Sequence, residues 1–240
     1  QFQRDQQIQP QNYLTKSGFN QASFYSDLNA AHRNLLGAEQ LDWIKERVNS
    51  ESFDWTILGQ QVLMTKLKFP DLSKMLEEED IPEFLKPYLK FLGLGIPSNL
   101  DAWDGYPADR NKLYDVMKKA KTSFISLAGD THNAWVSELT DVQGDKIGIE
   151  LGAPSVSSPG ITDAIKINKT KFSTEIVKMN PELNWMDPEH RGYLVLNFSN
   201  DQMEARFNFI SELQKVDSTI ASTKIFKVLK NNLEINTKKL

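Results

Sequence analysis

Ser126-Leu127-Ala128-Gly129-Asp130-Thr131-His132-Asn133-Ala134-Trp135 is the stretch from which the fold is read. A β-prone run, Ser123-Phe124-Ile125-Ser126-Leu127, leads straight into it and predicts a buried strand that stops at Gly129. Beyond the strand come a carboxylate and an imidazole two residues apart. Asp offers a hard oxygen and His a borderline nitrogen, which is a compact donor pair for a metal ion. The preceding Gly129 is read as the residue that lets the backbone turn. Taken alone, the same four letters describe more readily a loop aspartate capping the next turn beside an ordinary histidine.

Working outward, Ala38 to Val48 carries Leu41, Ile44 and Val48 on one face and predicts an amphipathic helix. Phe53 to Met64 reads as a mostly buried strand with Gln60 and Gln61 near its far end. Asp101-Ala102-Trp103-Asp104-Gly105-Tyr106-Pro107 is a turn-rich loop entering a helix from Ala108 to Ala120, acidic early and basic late. Two hairpins follow. One pairs 134–139 with 146–151 across Asp141-Val142-Gln143-Gly144-Asp145, and the other pairs 192–198 with 203–210. Residues 161–179 read as helical, and Lys224 to Leu229 as a last strand. The order is helix, strand, helix, strand, then antiparallel strands, which defines a layered α/β domain. Its expected boundaries are a polar N-terminal arm over 1–30, the domain over 31–215 and a basic tail over 216–240.

Composition narrows the function classes. The 240 residues carry a formal net charge of −4, which gives no footing for a nucleic-acid or anionic-membrane partner. No cysteine is present, so thiolate nucleophiles, disulfides and zinc–thiolate sites are excluded. No run of apolar residues is long enough for a transmembrane helix. The acidic stretch Glu77-Glu78-Glu79-Asp80-Ile81-Pro82 reads as a solvated face. The chain begins Gln1-Phe2-Gln3 without a methionine, and so reads as a processed or excised piece.

With these pieces in order, the chain resembles the C-terminal part of a PhoD-like alkaline phosphatase, a branch of the calcineurin-like metallophosphoesterases. The strings that carry the resemblance run from Leu35-Leu36-Gly37-Ala38-Glu39-Gln40-Leu41-Asp42-Trp43 through Leu58-Gly59-Gln60-Gln61-Val62-Leu63-Met64 and Asp101-Ala102-Trp103-Asp104-Gly105-Tyr106-Pro107-Ala108-Asp109-Arg110. They continue with Gly129-Asp130-Thr131-His132-Asn133, Pro154-Ser155-Val156-Ser157-Ser158-Pro159-Gly160 and Arg191-Gly192-Tyr193. The resemblance implies part of a four-layer αββα sandwich of mixed sheets ending in antiparallel hairpins. It implies a metal-dependent phosphoric ester hydrolase, phosphatase or phosphodiesterase, acting in the periplasm or secreted. Asp130 and His132 would be its last metal-ligand motif, where most relatives have Gly-His-x-His. Iron and calcium are the implied metals, and manganese or zinc fit the same donors.

Around that pair the resemblance suggests substrate or supporting roles for Asn133, Gln61, Asp104, Tyr106 and His190, with Arg110 and Arg191 as further cleft candidates. Each has a structural alternative. Asn133 stabilises a turn, Gln61 is a buried amide, and Trp103 and Tyr106 are packing aromatics. Asp104 or Asp109 supports the following helix start, and Arg110 makes an ion pair on the helix surface. Asn180-Pro181-Glu182 stands where the family has Asn-Pro-His. The family's N-terminal ligand motifs are absent, and two protein donors are fewer than the three or more usual at a catalytic metal. The expectation is therefore half of a site, inactive until an N-terminal segment of the same protein completes it around a phosphate ester. The rival is a catalytically inactive module that keeps the fold. A serine hydrolase using Ser157 or Ser158 lacks the G-x-S-x-G turn.

Overall fold

Residues 123–128 form the strand around which the main sheet is laid. The computed structural model describes residues 8–237 apart from 78, 80, 82, 84, 85, 90, 121, 216 and 217. Along that chain lie strands β1 (Leu14–Thr15) and β2 (Gly18–Phe19), helices α1 (Gln21–Leu28) and α2 (Gly37–Ser50), strand β3 (Trp55–Gly59), and helices α3 (Lys86–Leu89) and α4 (Pro107–Ala120). Strands β4 (Ser123–Ala128), β5 (Ala134–Thr140) and β6 (Lys146–Gly152) follow, then helices α5 (Ile161–Ala164) and α6 (Lys169–Met179). Strands β7 (Leu183–Asp187), β8 (Gly192–Phe198), β9 (Gln202–Ile210), β10 (Ile220–Leu229) and β11 (Ile235–Thr237) complete it.

Five strands make a mixed sheet in the order β3-β4-β6-β5-β7. β4 runs parallel to β3 and to β6, while β5 is antiparallel to both β6 and β7. It follows that β3, β4, β6 and β7 all end, and β5 begins, at one edge of the sheet. The chain leaves β4, passes the end of β6 and re-enters through Gly129–Asn133 to start β5. Such carboxyl-end edges are where open α/β sheets place their ligands.

A second, antiparallel sheet has the order β11-β10-β9-β8. It packs on the first through Phe207, Phe209, Phe226 and Val228 against Ile125, Val136, Ile149 and Leu151. Burying one such phenyl ring stabilises the fold by about 1.5–3 kcal/mol. The other face of the mixed sheet is covered by α2 and α4, through Ile44, Val48, Leu113 and Met117, and by α6 through Phe172 and Ile176. The outer face of the antiparallel sheet carries an Arg206–Glu204–Lys227 chain of ion pairs. The fold class is the expected mixed α/β with a mixed and an antiparallel sheet, and the described residues form a helical layer, these two large sheets and the separate β1–β2 hairpin.

Three segments differ from the sequence reading. Residues 8–30, expected as loop or arm, form a turn of 3-10 helix, the β1–β2 hairpin and α1, closed around Phe24 and Leu28 with Phe91 and Ile96. The partners are far apart in sequence, so no local periodicity announces them. The strand at 55–59 is a half-exposed sheet edge, not a mostly buried strand: Ile57 is 46% exposed, and residues 60–64 leave the sheet. β7 has no alternating pattern, and pairing with β5 places it. In the acidic run Glu77 and Glu79 are exposed as expected, whereas Glu78, Asp80 and Pro82 lie outside the described residues. Gln1 to Gln7, Lys238 and Lys239 also lie outside them.

Candidate metal centre

The Gly129–Asn133 loop holds an unusual backbone. Asp130 has φ 65° and His132 φ 60°, both in the left-handed region that side chains with a Cβ seldom adopt. The amide of Thr131 donates to the carbonyl of Gly129 at 2.7 Å, closing a three-residue γ-turn on Asp130. With positive φ this is the rarer, more strained form. The strain therefore sits on Asp130 and His132 and not on Gly129, whose φ is not positive. Strain of this kind persists where the surroundings over-determine it and gathers at functional sites.

The surroundings are specific. Gly129 donates its amide to the carbonyl of Gln61 at 3.1 Å, and Ala153 donates to Ala128 at 2.8 Å, extending the ladder to the loop. The Trp135 indole N–H donates to the Thr131 hydroxyl at 2.7 Å. Asn133 is buried and donates Nδ2 to the carbonyl of Pro188 at 3.0 Å. The Nδ1 of His132 lies 2.9 Å from the carbonyl oxygen of Pro159. A carbonyl only accepts, so Nδ1 carries a proton; in the neutral imidazole the lone pair then lies on Nε2, the arrangement a metal-ligating histidine requires.

Of the residues read from the sequence, Asp130 and His132 come together on one half-exposed loop. Asn133 is a strut between β5 and the β7–β8 connection. Gln61 meets the loop through its backbone carbonyl, and it is exposed, so it is not a buried amide; its neighbour Gln60 is the half-buried, hydrogen-bonded one. Gln60 donates to Ser126 Oγ at 2.9 Å and accepts from the Trp103 indole.

Asp104 is buried, with one carboxylate oxygen accepting from the Leu67 amide at 2.8 Å and the other from Arg110 at 2.7 Å. Arg110, read as a surface ion pair, is 5% exposed and also donates to the carbonyl of Met64. Burial holds the Asp104 carboxyl above the usual carboxylate range, against the pull of Arg110. Asp109 accepts from the amides of Leu35 and Leu36, so it caps the start of α2, not of its own helix. Tyr106 is not brought to the loop: it lies under the Arg33 guanidinium, 5.0 Å from the ring centroid. His190 is exposed at the carboxyl end of β7, with Nδ1 2.9 Å from a carboxylate oxygen of Asp187. Arg191 is buried and committed to the carbonyls of Ser158 and Glu189 and to Asp163.

Two features carry no sequence signal. One is the Pro159 carbonyl, a backbone group. The other is Glu150, fully buried in mid-strand, where it accepts from the amides of Met64 and Thr65, each at 2.8 Å, and from Thr65 Oγ1 at 2.6 Å. Glu182, the departure at Asn180-Pro181-Glu182, clasps Lys66 at 2.8 Å and Thr140 at 2.6 Å near the start of β7. It is a structural tie at the other end of that strand.

The chemistry on offer is one carboxylate and one imidazole nitrogen. Among the described residues no group of three or more His, Cys, Asp or Glu side chains could hold a metal ion. The donor types fit a metal, and their number leaves the coordination incomplete.

The described residues thus combine a mixed and an antiparallel sheet with a strained Asp130–His132 loop at the carboxyl-end edge. Residues 1–207 match the family described as PhoD-like phosphatase, and the chain belongs to that family. It is 26% identical over 196 residues to alkaline phosphatase D of Bacillus subtilis (strain 168), covering 80% of this chain and 30% of that protein. A solved structure titled Structure of PhoD superposes with a TM-score of 0.66 at 21% identity, over 89% of this chain and 37% of the other. The chain thus spans less than two fifths of either relative.

Proposed function

We propose that this chain is the portion of a PhoD-like phosphoesterase that brings Asp130 and His132 to a metal centre, the remaining donors coming from an N-terminal segment of the same protein. The observation that carries the reading is the His132–Pro159 hydrogen bond, which engages Nδ1 and leaves Nε2 as the candidate ligand nitrogen, two residues from Asp130 on a strained loop. The open edge of β3 supports the second half of the reading. β3 ends the sheet order, and beside it lies a cleft of about 1120 Å3 whose lining includes Trp43, Leu58, Gln61, Trp103 and Gly129. An exposed sheet edge with Ile57 uncovered, beside the exposed Trp43 of α2, is a template for another strand.

Asp130 and His132 would hold the metal, with iron and calcium, manganese or zinc compatible with an oxygen and an imidazole donor. The chemistry such a metal would supply is polarisation of a phosphoryl oxygen and activation of water as a nucleophile at neutral pH. The chain's own residues do the positioning: Pro159 fixes the His132 tautomer, Thr131 and Trp135 fix the loop, and Asn133 ties it to β7. The setting is periplasmic or secreted, and among the described residues no helix is long and apolar enough to cross a membrane. The inactive-module reading rests on the two-donor count.

Metal analysis of the natural full-length protein decides between them. The expected result is bound metal and hydrolysis of bis(p-nitrophenyl) phosphate, both lost in Asp130→Ala. Full activity and full metal content in Asp130→Ala overturn the ligand assignment, and a metal-free, inactive full-length protein favours the inactive module.

A further inference from the structure

A smaller cavity of about 280 Å3 shares Thr131 and Asn133 with the donor loop. Its apolar walls come from Leu63, Leu67, Phe69, Trp135 and Ile161. These walls are pre-formed: Trp135 is buried and pinned by its bond to Thr131, and Phe69 meets Phe172 edge-on at 6.0 Å. A guest would therefore meet rigid aromatic area without ordering it first.

The polar groups lining it are mostly committed elsewhere. Asp104 is neutralised by Arg110 and the Leu67 amide, and Asn133 donates to Pro188. Thr131 accepts from Trp135 and keeps its own O–H as a donor. A charged guest would lose its hydration with no free opposite charge in the wall, which is costly. A neutral group loses little. The volume lies near the lower end of ligand pockets, about 300–1,000 Å3, and suits one ring.

We propose that this cavity is a specificity pocket for the neutral, ring-sized organic substituent of a phosphodiester whose phosphoryl group would bind at the metal centre to which Asp130 and His132 contribute. It rests on the phosphoesterase reading above. Thr131 joins the two places, being the residue between Asp130 and His132 and also part of the cavity wall.

The test uses 4-fluorophenol as the ring probe and the natural full-length protein. Saturable 19F line broadening by 4-fluorophenol is expected, unchanged in Asp130→Asn and abolished in Ser98→Trp, which fills the cavity from a half-buried lining position. Ile161→Phe, also at a half-buried lining position, is the second filling variant, so that a folding defect peculiar to one variant does not decide the outcome. In turnover, the ratio of kcat/KM for bis(p-nitrophenyl) phosphate to that for methyl p-nitrophenyl phosphate falls about tenfold or more in the filled variants. Probe binding that survives both substitutions, or a ratio that does not move, overturns the pocket. Probe binding with no hydrolysis of any ester overturns the phosphoesterase reading and leaves the pocket standing.

Discussion

His132 Nδ1 and the Pro159 carbonyl oxygen are 2.9 Å apart, and this one contact decides which imidazole nitrogen is engaged within the protein. Pro159 is held in turn by its own loop. Ser155 Oγ donates to the Ser158 carbonyl at 2.5 Å, and Arg191 Nε donates to the same oxygen at 2.6 Å. The donor geometry of His132 is thus set by the loop after β6, and only its chemistry by the Gly-Asp-Thr-His sequence.

Replacing His132 by alanine removes the nitrogen donor and leaves the Pro159 carbonyl at the half-exposed rim, where water can take the bond. Loss of an outer partner of a metal ligand costs about 10–100-fold in affinity, so loss of the ligand costs at least that. Chelator competition on the full-length protein measures it. An affinity within threefold of the parent (roughly 0.6 kcal/mol) would sink the assignment.

The strain at Asp130 gives a prediction of opposite sign for stability and function. Glycine adopts φ near +65° without a Cβ clash, which costs other residues about 1–2 kcal/mol. Asp130→Gly is therefore expected to raise unfolding free energy in chelator by up to about 1 kcal/mol while metal retention falls. Urea titration reads the first and metal analysis the second. A variant less stable than the parent would show that the carboxylate, not relief of strain, dominates the metal-free fold.

Gly160 is where the three loops of the site touch. A Cβ there would lie 2.5 Å from Asn133 Nδ2, 3.2 Å from Arg191 Nη2 and 3.3 Å from the His132 carbonyl oxygen. Gly160→Ala must push the Asn133 strut aside, with an expected cost of about 1–3 kcal/mol. The same shift moves the loop carrying Pro159, so metal affinity drops with stability. If denaturant unfolding shows no loss, the packing of Asn133 against Gly160 is looser than described.

How much of this was legible differs by kind of signal. The β4 run, the two hairpins, α2 and α4 were legible, because alternation and helical spacing record which face each residue buries. Asp130 and His132 were legible as chemistry. What was hidden depends on chain segments meeting across the fold. Arg110 looks like a helix-surface residue until residues 64–67 close over it, and Asp109 looks like a cap for its own helix until α2 arrives above it. Gln60 and Gln61 are indistinguishable as letters, and the end of β3 turns one into the Ser126 network and the other outward.

Glu150 yields the last prediction. Burial holds its carboxyl above the usual carboxylate range, although hydrogen bonds from Thr65, Met64 and Ser126 pull it back. A raised folded pKa means that the native state binds the proton more tightly than the unfolded chain. Its contribution to stability is fully present below the unfolded value of about 4.3 and is lost as pH rises through the folded value. Glu150→Gln removes that slope, so stability declines less between about pH 4 and neutrality in the variant than in the parent. The substitution also sets an NH2 group against backbone N–H donors that now point at a carboxyl oxygen, at a cost of about 1–3 kcal/mol. Urea unfolding across that pH range tests both parts. An unchanged pH slope overturns the assignment of the titration to Glu150, and an unchanged midpoint at neutral pH overturns the role given to its hydrogen bonds.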